Sequence, residues 1–391
     1  MKIKSLEING VGGIRNLKLD FIDGINVICG ANGIGKTTVL EIISDAFITS
    51  NSKLKRNASC ESGKYNITIK INENGVFTEK NKIENVSVFD PHGGDYRTSW
   101  AKYNYKILYF SINRDIKYSK LDSIKVDPER QTYMNGEIIR TGIEAHDIKN
   151  WFVNRFLFTP QKDSLPKELI ENYKLTKEAF GVLDNTVKFK TVIGNSYDIM
   201  LSTQKGDIYF EYLSSGYKSC IYIIFGIIKE VEYRLKEKPI AVQEFDGIIL
   251  IDEIDLHLHP LWQAGLVKSL KIIFPCAQFI LTTHSPSLLQ SLDKNEIIAL
   301  GCDENGNTIL KALNLGEYGL QGWTLEEILK DIMEMPSTSS EFYQETLRKF
   351  DEAMNSEDRD LILHQYNLLK EMLHPNNSLR KLLAIQVAEW E

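Results

Sequence analysis

The chain has 391 residues, 43% of them hydrophobic and 25% charged, with 17 Phe, 17 Tyr, 5 Trp and 10 Pro. This composition excludes a mostly disordered or collagen-like polymer and leaves room for two or three domains with substantial cores. The net charge of −7 resides in residues 324–391, which hold 7 Lys or Arg against 14 Asp or Glu, so the balanced remainder does not advertise a nucleic-acid binder.

The amino terminus alternates as a strand over residues 2–9 and meets Glu7 too early for a secretion signal. The longest apolar run, 221–228, falls far short of the roughly 20 residues that span a bilayer, so a cytoplasmic protein with no membrane partner is expected. Cys29, Cys60, Cys220, Cys276 and Cys302 form no CxxC pair, which predicts buried free thiols and neither a zinc site nor a disulfide framework.

Residues 24–29 read as a buried strand running into Gly30-Ala31-Asn32-Gly33-Ile34-Gly35-Lys36-Thr37. Val39, Leu40, Ile42, Ile43, Ala46 and Phe47 then recur at helical spacing. Short alternating segments at 65–71 and 86–89 predict an antiparallel meander, and residues 106–110 a return to the central sheet. From 113 to 186 the pattern weakens into a mainly helical insertion with a helix near 145–158, and short strands follow near 187–193 and 197–201. A helix is predicted from Ser215 to about Leu235, buried strands at 247–253 and 278–283, and a further one at 296–300. Thr324 caps a predicted helix at 325–335, with others at 340–354, 357–373 and 377–390. The expected fold class is α/β with a mixed central sheet, divided as an N-terminal lobe 1–112, an insertion 113–186, a segment 187–300 and an acidic helical region 301–391.

Residues 30–37 match G-x-x-x-x-G-K-[ST] between a strand and a helix. Glycines let successive N–H groups turn inward towards phosphate oxygens, the helix presents its positive end, Lys36 adds a point charge and the Thr37 hydroxyl can ligate magnesium. A second apolar strand delivers the adjacent carboxylates Asp252 and Glu253 to a sheet edge. Asp252 is expected to hold magnesium and Glu253 to polarise the attacking water.

Residues 30–37, Leu213-Ser214-Ser215-Gly216-Tyr217, Asp252-Glu253 and His284 resemble, in order, the Walker A, signature, Walker B and switch-histidine elements of an ABC-type ATPase. The match covers roughly residues 1–300. Ser215 and Tyr217 depart from the commonest signature in a way similar to the SMC, RecF and OLD-like soluble branch. The resemblance implies a P-loop head that binds ATP and Mg2+ through Asn32, Gly33, Gly35, Lys36, Thr37 and Thr38, with Thr37 and Asp252 on the metal. It implies that Glu253 and His284 are catalytic, and that Ser214, Ser215 and Gly216 close over nucleotide held by the other copy of a dimer. Taken alone, the serine pair is equally an ordinary helix cap. Asp255 resembles a dimer-crossing acidic position, while His257 and His259 alternate like metal ligands but lack a visible third.

No glutamine stands where the family places one after residues 106–110; Asn113 and Arg114 occupy that junction and are carried as candidate nucleotide contacts, and Arg15 is either a nucleotide contact or a surface residue. The chain resembles the free-standing ATPases of bacterial anti-phage systems such as Septu, retron-linked and PARIS-like pairs, which implies regulation of a separate nuclease or toxin effector. The acidic carboxyl-terminal region, reached through residues 318–324, is either a solvated face or a surface for a basic effector. A DNA repair or recombination ATPase is the alternative, with Lys53-Leu54-Lys55-Arg56 and the stretch from Lys117 to Lys125 as phosphate contacts or as solvated loops.

Overall fold

Segments apolar on both faces form the central sheet. The computed structural model describes residues 1–73, 75–97, 100–114, 118, 120–145 and 147–390. Its first strands are β1 (Lys2–Val11), β2 (Ile14–Asp20) and β3 (Ile25–Gly30), followed by α1 (Lys36–Asp45), the hairpin of β4 (Gly63–Glu73) and β5 (Val76–Val86), and then β6 (Ile107–Phe110). Three helices, α2 (Thr132–Thr141), α3 (Ile148–Phe158) and α4 (Lys167–Ala179), lead into β7 (Lys188–Val192), β8 (Ile199–Thr203) and β9 (Gly206–Tyr209). The 20-residue α5 (Ser215–Arg234) precedes β10 (Ile248–Ile251), α6 (Pro260–Ile273), β11 (Gln278–Thr282), the short α7 (Pro286–Leu289), β12 (Ile297–Cys302) and β13 (Thr308–Leu310).

The six-stranded sheet runs β13-β12-β3-β11-β10-β6. All its strands are parallel except β13, which makes it mixed. Every residue of β3, β6, β10 and β11 is buried, the pattern of strands covered on both faces. A four-stranded antiparallel sheet, β2-β1-β4-β5, turns Ile3, Leu6, Ile8, Tyr65, Ile67 and Ile69 towards α1 and the central sheet, where they share one core with Val39, Ile42, Ile107, Ile248 and Ile280. Buried Gln278 stitches the two sheets: its Oε1 accepts from Ile3 N at 2.7 Å and its Nε2 donates to Ile3 O at 2.9 Å.

Four strands differ from the sequence expectation: one is displaced, and β2, β9 and β13 were not predicted. The strand predicted at 86–89 lies at Val76–Val86, paired with β4 across a turn at Gly75. Its mostly exposed, polar residues conceal the alternation, and Phe89 belongs to the following loop. The unpredicted β2 buries Ile14, Leu17 and Leu19, a 3-then-2 spacing that breaks the simple period of a strand.

Phe152 and Phe180 of the insertion form one aromatic cluster with Phe189 of β7 and Phe225 of α5; the Phe180 and Phe225 rings lie 5.1 Å apart and those of Phe152 and Phe189 5.2 Å. α5 also buries a charged run. Glu230 pairs with Arg130 at 3.1 Å, Arg234 at 3.2 Å and Lys229 at 3.4 Å, and Glu232 pairs with Arg155 at 2.8 Å.

The contacts divide the chain into two units, Met1–Ile328 with Ile332–Glu334, and Leu329–Asp331 with Met335–Glu391. The second contains α9 (Glu341–Ser356), α10 (Arg359–Met372) and α11 (Ser378–Val387), which close on Phe350, Ala353, Ile362, Leu369, Leu383 and Val387. Ser340, Asp358 and Asn377 cap their amino termini as acceptors. Thr324 does cap a helix, forming a capping box with Glu327, but the predicted 325–335 helix is a brief α8 (Leu325–Glu327) followed by a π-helical turn in which Met333 N bonds Ile328 O. All five thiols are free; Cys29 and Cys220 are buried, whereas Cys276 and Cys302 are exposed, contrary to the burial expected of them, because Cys276 sits in the turn between α6 and β11 and Cys302 is the last residue of β12. Among the described residues no helix is long and apolar enough to cross a membrane.

Candidate active site

β3 carries the chain to Gly30, after which the backbone turns through glycines at positive φ: 137° at Gly30, 77° at Gly33 and 101° at Gly35. A Cβ on Gly30 would stand 2.2 Å from the Leu300 carbonyl oxygen of β12, so this position admits only glycine. Gly35 caps α1 in the left-handed conformation and directs the loop across the positive end of the helix. Asn32 and Gly33 are exposed at the loop tip, Thr37 is exposed on the first turn, and half-buried Thr38 leans against Gly12. Lys36 folds back so that Nζ donates to Gly30 O at 2.9 Å and Ala31 O at 2.8 Å. Burial lowers its pKa, although the nearby Glu253 and Asp252 carboxylates pull the other way.

Asp252, one residue beyond β10, is the hub of the site. Thr37 Oγ1 lies 3.1 Å from both of its carboxylate oxygens, and Thr282 Oγ1 donates to Oδ1 at 2.6 Å. The Asp252 N–H bonds Phe110 O at 2.9 Å, and the Asp252 carbonyl accepts from Arg114 Nη2. Glu253 is half-buried and held at φ 48°, a left-handed value that is uncommon outside glycine, and its N–H donates to Thr282 Oγ1 at 2.7 Å. Thr282 therefore ties the two acidic residues together through a single hydroxyl.

His284 follows at the end of the neighbouring strand, where Asp255 accepts from Thr283 Oγ1 at 2.6 Å and from His284 N at 3.3 Å. Burial lowers the His284 pKa and Lys36 adds to the effect, against the pull of Glu253, Asp255 and Asp252. The imidazole is consequently neutral at neutral pH, offering one donor and one acceptor.

Gly30, Lys36, Thr37, Asp252, Glu253 and His284 thus share one sheet edge. Residues 214–216 are arranged differently. Ser214 caps α5, accepting from Tyr217 N at 3.3 Å, and it and Ser215 are exposed. A Cβ on Gly216 would lie 2.5 Å from His257 O, so the start of α5 packs directly on the loop after Glu253. Among the described residues no hydrogen bond joins residues 214–216 to the phosphate loop.

The remaining candidates are dispersed. Asn113 is exposed and, with Ser111 and Ile112, lines a cavity of about 240 Å³ that reaches Thr37, Glu41 and Asp252. Arg15 is exposed, with Nε on Ser59 Oγ at 3.0 Å. His259 caps α6, accepting from Leu261 N at 3.3 Å, and His257 is exposed at φ 64°. In the basic patch, Lys53 Nζ donates to Arg140 O at 2.9 Å, Lys55 Nζ to Asp90 O at 2.7 Å and Arg56 Nη1 to Cys60 O at 2.6 Å, so these cations brace the backbone. Lys117, proposed from the sequence as a phosphate contact, lies outside the described residues.

Two residues of the site had no assigned role in the sequence, Thr282 and Glu41. Thr282 carried a signal, since a hydroxyl closing an apolar strand just before His284 has a sheet-edge position. Glu41, raised in pKa by burial and by Asp252, looked like any polar residue of an amphipathic helix.

Fold and site together define a P-loop ATPase. The chain belongs to the family described as "AAA domain, putative AbiEii toxin, Type IV TA system", whose model matches residues 61–290, and within it to the family of Septu protein PtuA. It is 45% identical to "Septu protein PtuA" of Bacillus thuringiensis over 99% of this chain and 98% of the relative. It is 25% identical to "Retron Vc95 probable ATPase" of Vibrio cholerae serotype O1 biovar El Tor over 69% of this chain and 68% of the relative. A solved Smc head bound to the C-winged helix domain of ScpA aligns with 80% of this chain and 98% of its own at 17% identity and a TM-score of 0.48.

Proposed function

We propose that this protein binds and hydrolyses ATP with Mg2+ as a nucleotide-dependent dimer, and that its nucleotide state regulates a separate nuclease or toxin effector in bacterial anti-phage defence, in the cytoplasm. The observation that carries the reading is the Asp252 carboxylate shared between Thr37 of the phosphate loop and Thr282 of β11, with Glu253 fixed by that same threonine. Full-length similarity to a Septu protein PtuA and partial similarity to a retron ATPase support the defence context.

The Thr37 hydroxyl and Asp252 carboxylate form a hard, all-oxygen donor set that suits magnesium. Bound there, magnesium would neutralise charge on the terminal phosphates. Lys36 would exchange its two carbonyl partners for phosphate oxygens, and the N–H groups of residues 32–38 would surround the phosphate chain. Glu253 would accept a proton from the attacking water while neutral His284 hydrogen-bonds the terminal phosphate. The exposed Ser214 and Ser215, at the positive end of α5 and without a hydrogen bond to their own phosphate loop among the described residues, have the character of an anion site, which supports a second copy as the source of the phosphate.

The test is light scattering of the purified chain with ATP and Mg2+. Glu253→Gln is expected to accumulate a dimer that retains ATP, and Lys36→Ala to remain monomeric. A Glu253→Gln protein that stays monomeric at saturating ATP would refute the dimer reading.

A further inference from the structure

The peptide group joining Asp252 to Glu253 is gripped from both sides. Its N–H donates to Thr282 Oγ1 at 2.7 Å, and its carbonyl oxygen accepts from Arg114 Nη2. Thr282 comes from β11 and Arg114 from the segment leaving β6, the two strands that flank β10. Glu253 holds φ 48° immediately after this peptide. A peptide with either end free could rotate and let the residue return to the right-handed region, which would swing its carboxylate away from the phosphate loop.

Arg114 is built for this contact. It is only 4% exposed, and its Nε donates to Ser111 O at 3.2 Å, so the planar guanidinium is oriented by its own turn before it meets Asp252. Its Nη1 is buried without a hydrogen-bond partner, a cost that a surface-seeking arginine would not carry. Cys220 and Tyr222 of α5 are near enough to influence the Arg114 charge, and the Tyr222 ring stands edge-on to Phe110, the last residue of β6, with centroids 5.6 Å apart.

We propose that Arg114 is a positioning residue for hydrolysis: it does not touch the nucleotide, and it acts by fixing the Asp252–Glu253 peptide so that the Glu253 carboxylate points at the attacking water. This deepens the reading of Glu253 as the water-activating group and rests on it. A lysine would have to reach Ser111 O and Asp252 O from a single Nζ, without the fixed spacing of the planar fork, and glutamine offers only a neutral amide with a shorter reach.

The test uses the full chain with Arg114→Lys and Arg114→Gln, measuring steady-state kcat and KM for ATP, equilibrium binding of a fluorescent ATP analogue, and thermal melting. The expected result is a fall in kcat of about tenfold to a hundredfold with the analogue's Kd within about twofold of wild type, and with Lys retaining more activity than Gln. In single-turnover reactions Arg114→Lys is expected to add no further loss in a Glu253→Gln background, because its effect passes through that carboxylate. Wild-type kcat in both variants, a parallel tenfold loss of analogue binding, or full additivity with Glu253→Gln would each overturn the assignment. Wild-type turnover in Glu253→Gln alone would instead strike the underlying reading of Glu253, so the two failures are distinguishable.

Discussion

Thr282→Val isolates the hydroxyl at the centre of the site. Thr282 is 1% exposed, and its Oγ1 serves two acidic residues at once, donating to Asp252 Oδ1 at 2.6 Å and accepting from Glu253 N at 2.7 Å. Valine has nearly the same shape but returns neither bond. A hydrogen bond to a charged group contributes about 1.5–3 kcal/mol, and a buried N–H left without a partner costs about 1–3 kcal/mol. The methyl that replaces the hydroxyl recovers about 0.8 kcal/mol of apolar burial. The expected net destabilisation is about 2–4 kcal/mol, which for a unit of this size lowers the melting temperature by roughly 4–8 °C. Thr282→Ser, which keeps the oxygen, is expected to lose less than about 1 kcal/mol. Urea denaturation measures the stability, and ATP turnover reports on the freed Glu253 peptide. A valine variant with an unchanged midpoint and wild-type turnover would refute the claim that this hydroxyl links the two carboxylate residues.

Glu230→Gln removes the carboxylate that pairs with Arg234 and Lys229 on the same buried helix and with Arg130, and is expected to cost about 3–5 kcal/mol in denaturant unfolding, because those cations lose their counter-ion without regaining water. Burial opposes ionisation there, yet Lys229, Arg234 and Arg130 hold the carboxyl down at about 2, so the stabilisation is present above the ordinary 4.5 and is lost as the pH falls towards that lower value. For His284 the sign gives a different window. The folded pKa lies below 6.5, so below that pH the unfolded chain takes up a proton that the folded chain refuses, and stability declines as the pH falls. Denaturant midpoints between about pH 7.5 and about pH 5.5 are expected to fall more steeply for wild type than for His284→Asn, and parallel slopes would contradict this.

The candidate site was legible wherever residue identity and strand context coincide. Gly30, Lys36 and Thr37 could be read because their spacing between a buried strand and a helix matches a phosphate loop, and Asp252 with Glu253 because the pair closes an apolar strand downstream of that loop. The central strands were legible for a related reason, since burial on both faces leaves an unbroken apolar run such as residues 248–251. What escaped was everything defined by a neighbour far along the chain. Arg114 looked like a nucleotide contact because it follows β6, whereas its donors serve the Ser111 and Asp252 carbonyls. Lys53, Lys55 and Arg56 looked like a cationic patch because sequence cannot reveal that backbone carbonyls occupy their heads. Edge strands β2 and β5 lacked a clean alternation because β2 buries Ile14, Leu17 and Leu19 at a broken spacing and β5 is mostly exposed.

Strand order explains why residues so distant in sequence converge. β3, β11, β10 and β6 lie side by side and parallel, so their carboxyl ends share one edge. The register levels those ends: Ile251 pairs with Leu281 on one side and with Phe110 on the other, and Thr282 pairs with Ile28. The next residues out are therefore the start of the phosphate loop, the two carboxylates, the threonine–histidine segment and the turn that bears Arg114. A slip of one residue in β11 would turn Thr282 to the opposite face and replace its hydroxyl beside Asp252 with an apolar or mispositioned side chain. The nearly continuous apolar sequences of β10 and β11 leave such slips weakly opposed by patterning alone. The polar contacts at the strand ends, Gln278 holding Ile3 at one end of β11 and Thr282 holding Asp252 and Glu253 at the other, fix the register from both sides. The same hydrogen bonds that arrange the site thus help to specify the sheet on which it stands.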